Sequence, residues 1–434
     1  MIICSDQPKR GVPPTHEASM AELILHYPKE YFTQVDIHLD RLKSNYKLLK
    51  DFAGERPIMA VVKGDAYGHG LVECAQALAE AGAQHLGVMD VSEGAALRQA
   101  GLVEQKIYVL AGLDYPSQVT TAAEKDLIVF VYSREQLVNV MNLAQVRSFT
   151  VKVFLKIDTG MGRLGMPARD ALPFFQQARN SPHIQVLGIA THLATISDYD
   201  AEDQLLLFQH TQRKAEEIFQ TPLVYSALSG GAMLAHPEYP DALPRVGLAL
   251  YGVPPPKELL KDPVPFPLPR ENLLDISHSS LRSREHLKHP LPSPLKTAEK
   301  LKPVMRVAST IIQVKKLKKG ETVSYDRIFT APGDMIAAVV PFGYVHGLSS
   351  ARSEKNRCLV RGGSAEQIGR ICMNLSVYDV SGIEGVKPGD EAVFLGESGD
   401  LRLDAYQEFY QERCNPYEIL CLFGRLNRRV HHGG

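Results

Sequence analysis

The chain has 434 residues, enough for two or three domains with large cores and no need of disulfide or metal staples. Apolar residues make up 44% and charged residues 22%, which excludes a globally disordered chain. Lys plus Arg number 48 against 49 Asp plus Glu, and a net charge of -1 gives no electrostatic reason for nucleic acid or an anionic membrane to be the main partner.

Residues 1–30 carry Pro8, Pro13, Pro14 and Pro28 without a clear period and are expected to form an N-terminal extension. Its apolar start, MIIC, is too short for a secretory leader, and the basic residues follow it instead of preceding it. The longest apolar runs, such as Met335–Phe342, are strand-sized, well below the roughly 18 residues that cross a bilayer. Six sparse cysteines (Cys4, Cys74, Cys358, Cys372, Cys414 and Cys421) lack CxxC spacing, which points to reduced thiols in a cytoplasmic protein and to no metal site.

From about 57 to 250, short β-rich runs alternate with helical patterns. The runs fall at 57–63, 85–90, 107–111, 127–131, 151–157, 184–191 and 223–228, with an eighth near 242–251. Helical stretches lie at 71–82, 92–101, 133–142 and 201–219. Ser92 and Ser133 are placed to cap helices, and Gly82 and Gly101 to stop them. The strand runs are nearly continuously apolar, as in parallel strands covered on both faces. Eight such units predict an α/β fold of the (β/α)8 TIM-barrel type over 31–252, with a doubly wound open sheet as the competing arrangement. Ten prolines between Pro254 and Pro294 mark 253–302 as an extended linker, with one short helix around 270–287. Residues 303–434 read as a mostly β C-terminal domain, with runs at 304–314, 335–342, 357–361, 371–380 and 391–396 and PGD turns at 332–334 and 388–390.

In such a barrel, chemistry collects where strands end. Lys63 ends the first run and is followed by the glycine-rich GDAYGHG. Burial there lowers an amine's proton affinity and suits it to form a Schiff base, although a lysine snorkelling from a strand end has the same local pattern. SALSGGA (226–232) and RVGLALYG (245–252) follow strands seven and eight, where barrels often hold phosphate; Ser229 and the backbone at Gly247 suit that use, and so would ordinary turns. Together with the lysine they point to pyridoxal 5'-phosphate.

AVVKGDAYGHG (60–70), LKIDTGMGRLG (155–165), RVGLALYG (245–252), VSYD (323–326), FGY (342–344) and GRICMN (369–374) resemble, in order and spacing, the alanine racemase family. The likeness runs from about Phe32 to the end, and FTQVDIHLDRLKSN (32–45) resembles the family's opening strand and helix, the strand belonging to the β-domain. The resemblance implies pyridoxal phosphate bound to Lys63 and a homodimer whose active site is shared between chains. It also implies interconversion of L- and D-alanine, supplying D-alanine for peptidoglycan.

Racemisation requires the α-proton to leave one face and return on the other, with the cofactor spreading the negative charge. The resemblance assigns the two bases to Lys63 and to Tyr325, the tyrosine reaching in from the partner subunit. A tyrosine with its ordinary pKa near 10 is a poor base at neutral pH, so its site must favour the phenolate. Arg245 resembles the arginine facing the pyridine nitrogen; it donates but does not release a proton, which keeps that nitrogen unprotonated and the cofactor a weaker electron sink. His192 resembles the histidine beside the ring, and Tyr67, Ser229, Tyr417 and the backbone of Gly247 and Leu248 resemble phosphate contacts. Arg163, and the backbone of Met373 from the second chain, resemble contacts to the substrate carboxylate. Lys156 resembles a lysine that many members carry carbamylated and paired with the arginine. Tyr344, Arg370 and Tyr417 resemble residues lining the substrate's access path.

The chain also departs from the pattern. Leu228 stands where the family usually has Asn, His346 and Asn374 where it has Asp, Ser197 where an aspartate is expected, and His38 at an acidic position. The 253–302 linker is longer than usual. These changes bear on substrate preference and rate, so a racemase of another small amino acid such as serine is an alternative. A non-catalytic pyridoxal-phosphate-binding protein is a second, although a carrier needs no Tyr325. Amino-acid decarboxylation shares the barrel but leaves VSYD and GRICMN without a use.

Overall fold

The computed structural model describes residues 32–113, 115–196, 198–260, 293–405 and 415–434, excluding the side chains of residues 198 and 199. The extension at 1–30, the helix expected at 270–287, and Cys4, Cys414 and Ser197 lie outside the described residues.

Eight parallel strands follow one another as Met59–Val61, His85–Val88, Lys106–Val109, Ile128–Val131, Val151–Asp158, Ile184–Ala190, Val224–Ser226 and Arg245–Val246. Each pairs with the next through the seventh, and the eighth pairs with the first in the register Arg245↔Met59 and Val246↔Ala60. Between seventh and eighth there is only the isolated bridge Ser229↔Arg245, so the barrel is nearly closed. Pairing of the eighth strand with the first excludes the doubly wound open sheet. Met59, Tyr108, Ile128, Phe130, Phe154, Ala190 and Leu243 form one buried cluster, and the Phe130 and Phe154 rings stack with centroids 5.3 Å apart.

Local sequence explains the helices. Ser133 caps Arg134–Arg147 by accepting from the Gln136 N–H, as expected. The expected cap Ser92 is displaced: Asp90 caps Val91–Gln99, its carboxylate accepting from both the Ser92 and Glu93 N–H groups. An ionised carboxylate two residues earlier is the stronger acceptor for those donors. Gly82 and Gly101 follow their helices in the left-handed region, where glycine carries no Cβ penalty. Pro116–Glu124 and Ala171–Arg179 are helices that the periodic pattern did not single out.

Beyond the barrel stands a ten-stranded mixed sheet. The opening strand, Thr33–His38, lies between Met305–Thr310, antiparallel, and Arg429–His432, parallel, so the first and last described strands meet in one sheet. The run at 304–314 divides into Met305–Thr310 and Gln313–Leu317. The run at 371–380 is a strand only over Ser376–Asp379; GRICMN is a loop, because Gly369 adopts φ 69° and leaves the ladder. Pro294–Lys300 and Pro416–Leu426 are helices in regions read as linker and as β, each opened by proline in its first turn. Among the described residues no helix is long and apolar enough to cross a membrane, and no cluster of His, Cys, Asp and Glu is arranged to hold a metal ion.

Candidate active site

Lys63 emerges where the first barrel strand ends, and the chain then turns left-handed. Gly64, Asp65, Ala66 and Tyr67 have φ of 66°, 58°, 53° and 55°. For the three residues with a Cβ this costs about 1–2 kcal/mol each, so the turn persists only because its surroundings hold it. Glu93 accepts from the Gly64 and Asp65 N–H groups at 2.7 and 3.0 Å with one oxygen, and from the Met89 N–H at 2.7 Å with the other.

Lys63, Lys156, Arg163, His192 and Arg245 line one cavity of about 190 Å³, with Phe130 and Leu110 in its apolar lining. The cavity is strongly cationic. Burial lowers the proton affinity of Lys63, and Arg163 and Arg245 add to the effect. Lys156 is 9% exposed, and burial followed by Arg245, Arg163 and Lys63 pushes it down to about 8. His192 falls to about 2 through burial and Arg245, so it is neutral.

Arg245 is fixed from several sides. Its Nη1 donates to Ser226 Oγ at 2.6 Å; its Nη2 donates to the Thr191 and Ala227 carbonyls at 2.6 and 3.2 Å and to His192 Nδ1 at 3.0 Å. Because Arg245 only donates, His192 Nδ1 is the acceptor and its proton resides on Nε2. Burial lowers Arg245 to about 10, which leaves it cationic at neutral pH.

A second cluster surrounds Gly247. A Cβ there would collide with the Tyr67 hydroxyl. Tyr67 packs against Tyr251 and Tyr417, with ring centroids 5.1 and 5.8 Å away, and burial raises its pKa so that it stays a neutral donor. Ser229 caps the short helix Gly230–Ala235 by accepting from the Ala232 N–H. The preceding loop is held by Asp241, a fully buried carboxylate missed in the sequence. It accepts from the Ala227 and Leu228 N–H groups, both at 2.8 Å. Leu228, where an Asn is usual, thus contributes only its backbone and a buried side chain.

Tyr325, Tyr344, Arg370 and Met373 do not line the cavity of this chain. They share an exposed region of the β-domain, with Tyr325 67%, Met373 55% and Tyr344 45% exposed. Tyr325 sits in a turn where Ser324, Asp326 and Arg327 have φ of 67°, 58° and 50°. Ser324 Oγ donates to the Arg370 carbonyl at 2.6 Å, and Arg370 pairs with Asp326 at 2.7 Å. The Tyr344 and Val345 N–H groups donate to the Cys372 and Met373 carbonyls at 3.1 and 3.0 Å, joining three loops. His346, where an aspartate is usual, accepts the Gly343 N–H at 3.0 Å on Nδ1; burial lowers its proton affinity and keeps that nitrogen unprotonated. His38 stacks on His432, centroids 5.4 Å apart. Nothing in the structure explains Asn374.

A nearly closed parallel barrel with a lysine and a cationic cavity at the C-terminal ends of its strands, joined to a β-domain, defines a barrel enzyme built to hold an anionic ligand beside an amine. Residues 37–255 match the profile of the alanine racemase N-terminal domain and 304–431 that of the C-terminal domain. An alanine racemase of Nostoc sp. is 33% identical over 408 residues, covering 91% of this chain and 95% of its own. The crystal structure of alanine racemase from D-cycloserine-producing Streptomyces lavendulae superposes with a TM-score of 0.80 at 29% identity, over 94% of this chain and 98% of its own. The alanine racemase of Bartonella henselae, 22% identical, shares the fold with a TM-score of 0.76 over 93% of this chain and 100% of its own, and was solved with covalently bound pyridoxal phosphate. The chain belongs to the alanine racemase family, whose members depend on pyridoxal phosphate.

Proposed function

We propose that the chain is an isomerase that interconverts L- and D-alanine with pyridoxal 5'-phosphate joined to Lys63, working as a cytoplasmic homodimer that supplies D-alanine for peptidoglycan. The observation that carries this reading is the cavity itself. Lys156, Arg163 and Arg245 converge there around one amine, and such a cationic set favours an anionic ligand.

The residues present fit the cofactor. Tyr67, Ser229, Tyr417 and the Gly247 and Leu248 backbone would hold its phosphate; the close approach of Tyr67 to Gly247, permitted by the missing Cβ, makes that cradle compact. The hydrogen bonds of Arg245 leave from Nη1 and Nη2, so Nε remains to donate toward the ring nitrogen. His192, neutral and oriented by Arg245, would lie beside the ring without adding charge. When bound, pyridoxal phosphate spreads the charge left at the α-carbon once its proton is removed.

The protein supplies the proton transfers. Lys63, its proton affinity lowered by burial and neighbouring arginines, acts on one face. Tyr325 of a second copy acts on the other, since this chain's Tyr325 does not line its own cavity. Arg163 and the Met373 backbone of the second copy hold the substrate carboxylate; Tyr417, with Tyr344 and Arg370 of the second copy, lines the access path. Carbamylation of Lys156 would turn one buried cation into an anion facing Arg163 and relieve the crowding that depresses its proton affinity.

The test is incubation of the cofactor-loaded protein with L-alanine in deuterated water, following α-deuterium uptake and optical rotation. Uptake with loss of rotation is the expected result. Uptake with retained configuration would leave one working base, and no uptake despite bound cofactor would make the protein a carrier. Serine in place of alanine tests the alternative substrate.

A further inference from the structure

The left-handed turn that presents Lys63 is held from two sides. Glu93 holds its start. Its other side is held by the C-terminal strand Arg429–His432, which no catalytic assignment above uses. Arg429 forms an ion pair with Asp65, and its Nη1 also donates to the Gly68 carbonyl at 3.2 Å. His431 Nε2 lies 2.7 Å from the His69 carbonyl, and since a carbonyl only accepts, the histidine donates. Asp65 in turn accepts from the Leu71 N–H at 2.8 Å with its other oxygen.

Strand geometry makes this placement systematic. Side chains alternate along a strand, so Arg429 and His431 share one face. That face meets the lysine loop, whereas His432, one residue further on, bonds Asp36 at 2.8 Å. The strand is itself fixed by pairing Val35↔Arg429 and Ile37↔His431. The helix before it packs backbone to backbone on the same loop: a Cβ on Gly68 would lie 2.6 Å from the Leu420 carbonyl, and one on Gly424 would overlap the Gly68 carbonyl.

We propose that Arg429 and His431 are positioning residues that hold the 63–70 loop in its left-handed form and thereby fix the direction in which Lys63 presents its amine. The proposal rests on the reading of Lys63 as the cofactor lysine. Asp65, Ala66 and Tyr67 are each strained in this conformation. Without the strand's hydrogen bonds to Asp65, Gly68 and His69, the loop keeps only Glu93, its packing on the helix Pro416–Leu426 and on Tyr251, and its own contacts to oppose relaxation to right-handed dihedrals. Such relaxation begins one residue after Lys63 and redirects its side chain. Misplacement of a reacting group by about 1 Å costs on the order of 100-fold in rate. Of the phosphate and substrate-carboxylate contacts assigned above only Tyr67 lies in this loop; the others come from other elements, so the loss measured per bound cofactor falls mainly on turnover.

The test uses the cofactor-loaded full chain and the variants Arg429→Ala, His431→Leu and His431→Gln. The readouts are kcat per bound cofactor and KM for each alanine enantiomer, and the visible circular dichroism of the bound cofactor. We expect Arg429→Ala and His431→Leu to lower kcat roughly 10- to 100-fold, to change KM less than about threefold, and to alter the visible dichroism. His431→Gln retains a donor near the Nε2 position and should keep kcat within about threefold of the parent. Variants with unchanged kcat per bound cofactor and unchanged dichroism, even if they melt earlier, would overturn the proposal and leave the strand a purely stabilising element. Should Arg429→Ala fail to fold, the Leu and Gln variants at 431 decide. If the unmutated enzyme binds cofactor but does not interconvert the enantiomers, the functional reading fails, and the dichroism comparison still tests the positioning.

Discussion

At the barrel mouth, Lys156 and Arg245 are 9% and 7% exposed, His192 is held neutral, and Lys63 is pushed toward its free amine. On the β-domain, Tyr325 is 67% exposed and Met373 55%. The first region has everything needed to alter its groups' chemistry: low solvent access, crowded like charge and fixed donors. The second has a rigid scaffold, with strained turns tied together by Ser324, Arg370 and His346, but its tyrosine stands open to solvent. Backbone strain of this kind clusters at functional sites, and at an exposed tyrosine it supports the proposal that Tyr325 acts in a second copy.

The largest effect expected from breaking this asymmetry is at Lys63. Lys63→Ala should remove the visible absorbance of covalently bound cofactor and bring racemase activity below detection, while the β-domain surface keeps its structure. Retained absorbance with native intensity would refute the assignment.

Next is Tyr325→Phe, which should leave cofactor binding intact and slow proton abstraction from one enantiomer by about 10²–10⁴-fold, with much less effect on the other. Solvent deuterium exchange into each enantiomer measures this; equal loss for both would contradict the two-face assignment. The variants also test sharing between chains. If each site takes Lys63 from one chain and Tyr325 from the other, mixing equal amounts of Lys63→Ala and Tyr325→Phe should rebuild one complete site in each mixed dimer and restore about a quarter of parental activity. No recovery after verified exchange of subunits would place both groups in one chain.

A smaller effect is expected at Asp241. Asp241→Ala strands the buried Ala227 and Leu228 N–H groups, which should cost about 2–4 kcal/mol in chemical unfolding and weaken cofactor retention through Ser229. Burial raises Asp241 to about 6 from 3.8, although the two N–H groups and Arg245 oppose the rise. The native state therefore binds the extra proton between those values, and this group's contribution to stability falls as pH rises from about 4 to about 6. Asp241→Asn, which does not titrate, should lack that part of the slope; identical pH profiles would show that the carboxylate's proton affinity is not raised.

The barrel half was largely legible in the sequence because strand, lysine and glycine-rich loop are contiguous: AVVKGDAYGHG carries its own geometry. The eight-strand count and Ser133 followed from local patterns that the fold does not override. What stayed hidden is long-range. Asp241 serves backbone N–H groups more than a dozen residues away and belongs to no motif, and Glu93, visible only as an acidic residue in a helix's first turn, reaches the Gly64 and Asp65 N–H groups. Arg429 and His431 meet their partners across more than 360 positions of chain. The run at 371–380 reads as one strand, yet its first part is a loop that follows Gly369 out of the ladder. Ser92 has a good N-cap side chain, but Asp90 has a better acceptor within reach of the same donors.

The smallest predicted effect tests whether the lysine turn is strained. Ala66 and Ala75 are both fully buried, the first in the left-handed turn with φ 53°, the second in the helix Leu71–Glu80. Replacing either by glycine removes one buried methyl, worth about 0.8 kcal/mol. At Ala75 the helix loses a further 0.8–1.0 kcal/mol or so of propensity. At Ala66 the substitution relieves about 1–2 kcal/mol of left-handed strain and so offsets the lost methyl. Ala66→Gly should therefore be nearly neutral in chemical unfolding, whereas Ala75→Gly destabilises by about 1.5–2 kcal/mol. Equal destabilisation at both sites would mean that Ala66 carries no strain in the folded protein, and the turn would then need neither Glu93 nor the C-terminal strand to keep Lys63 in place.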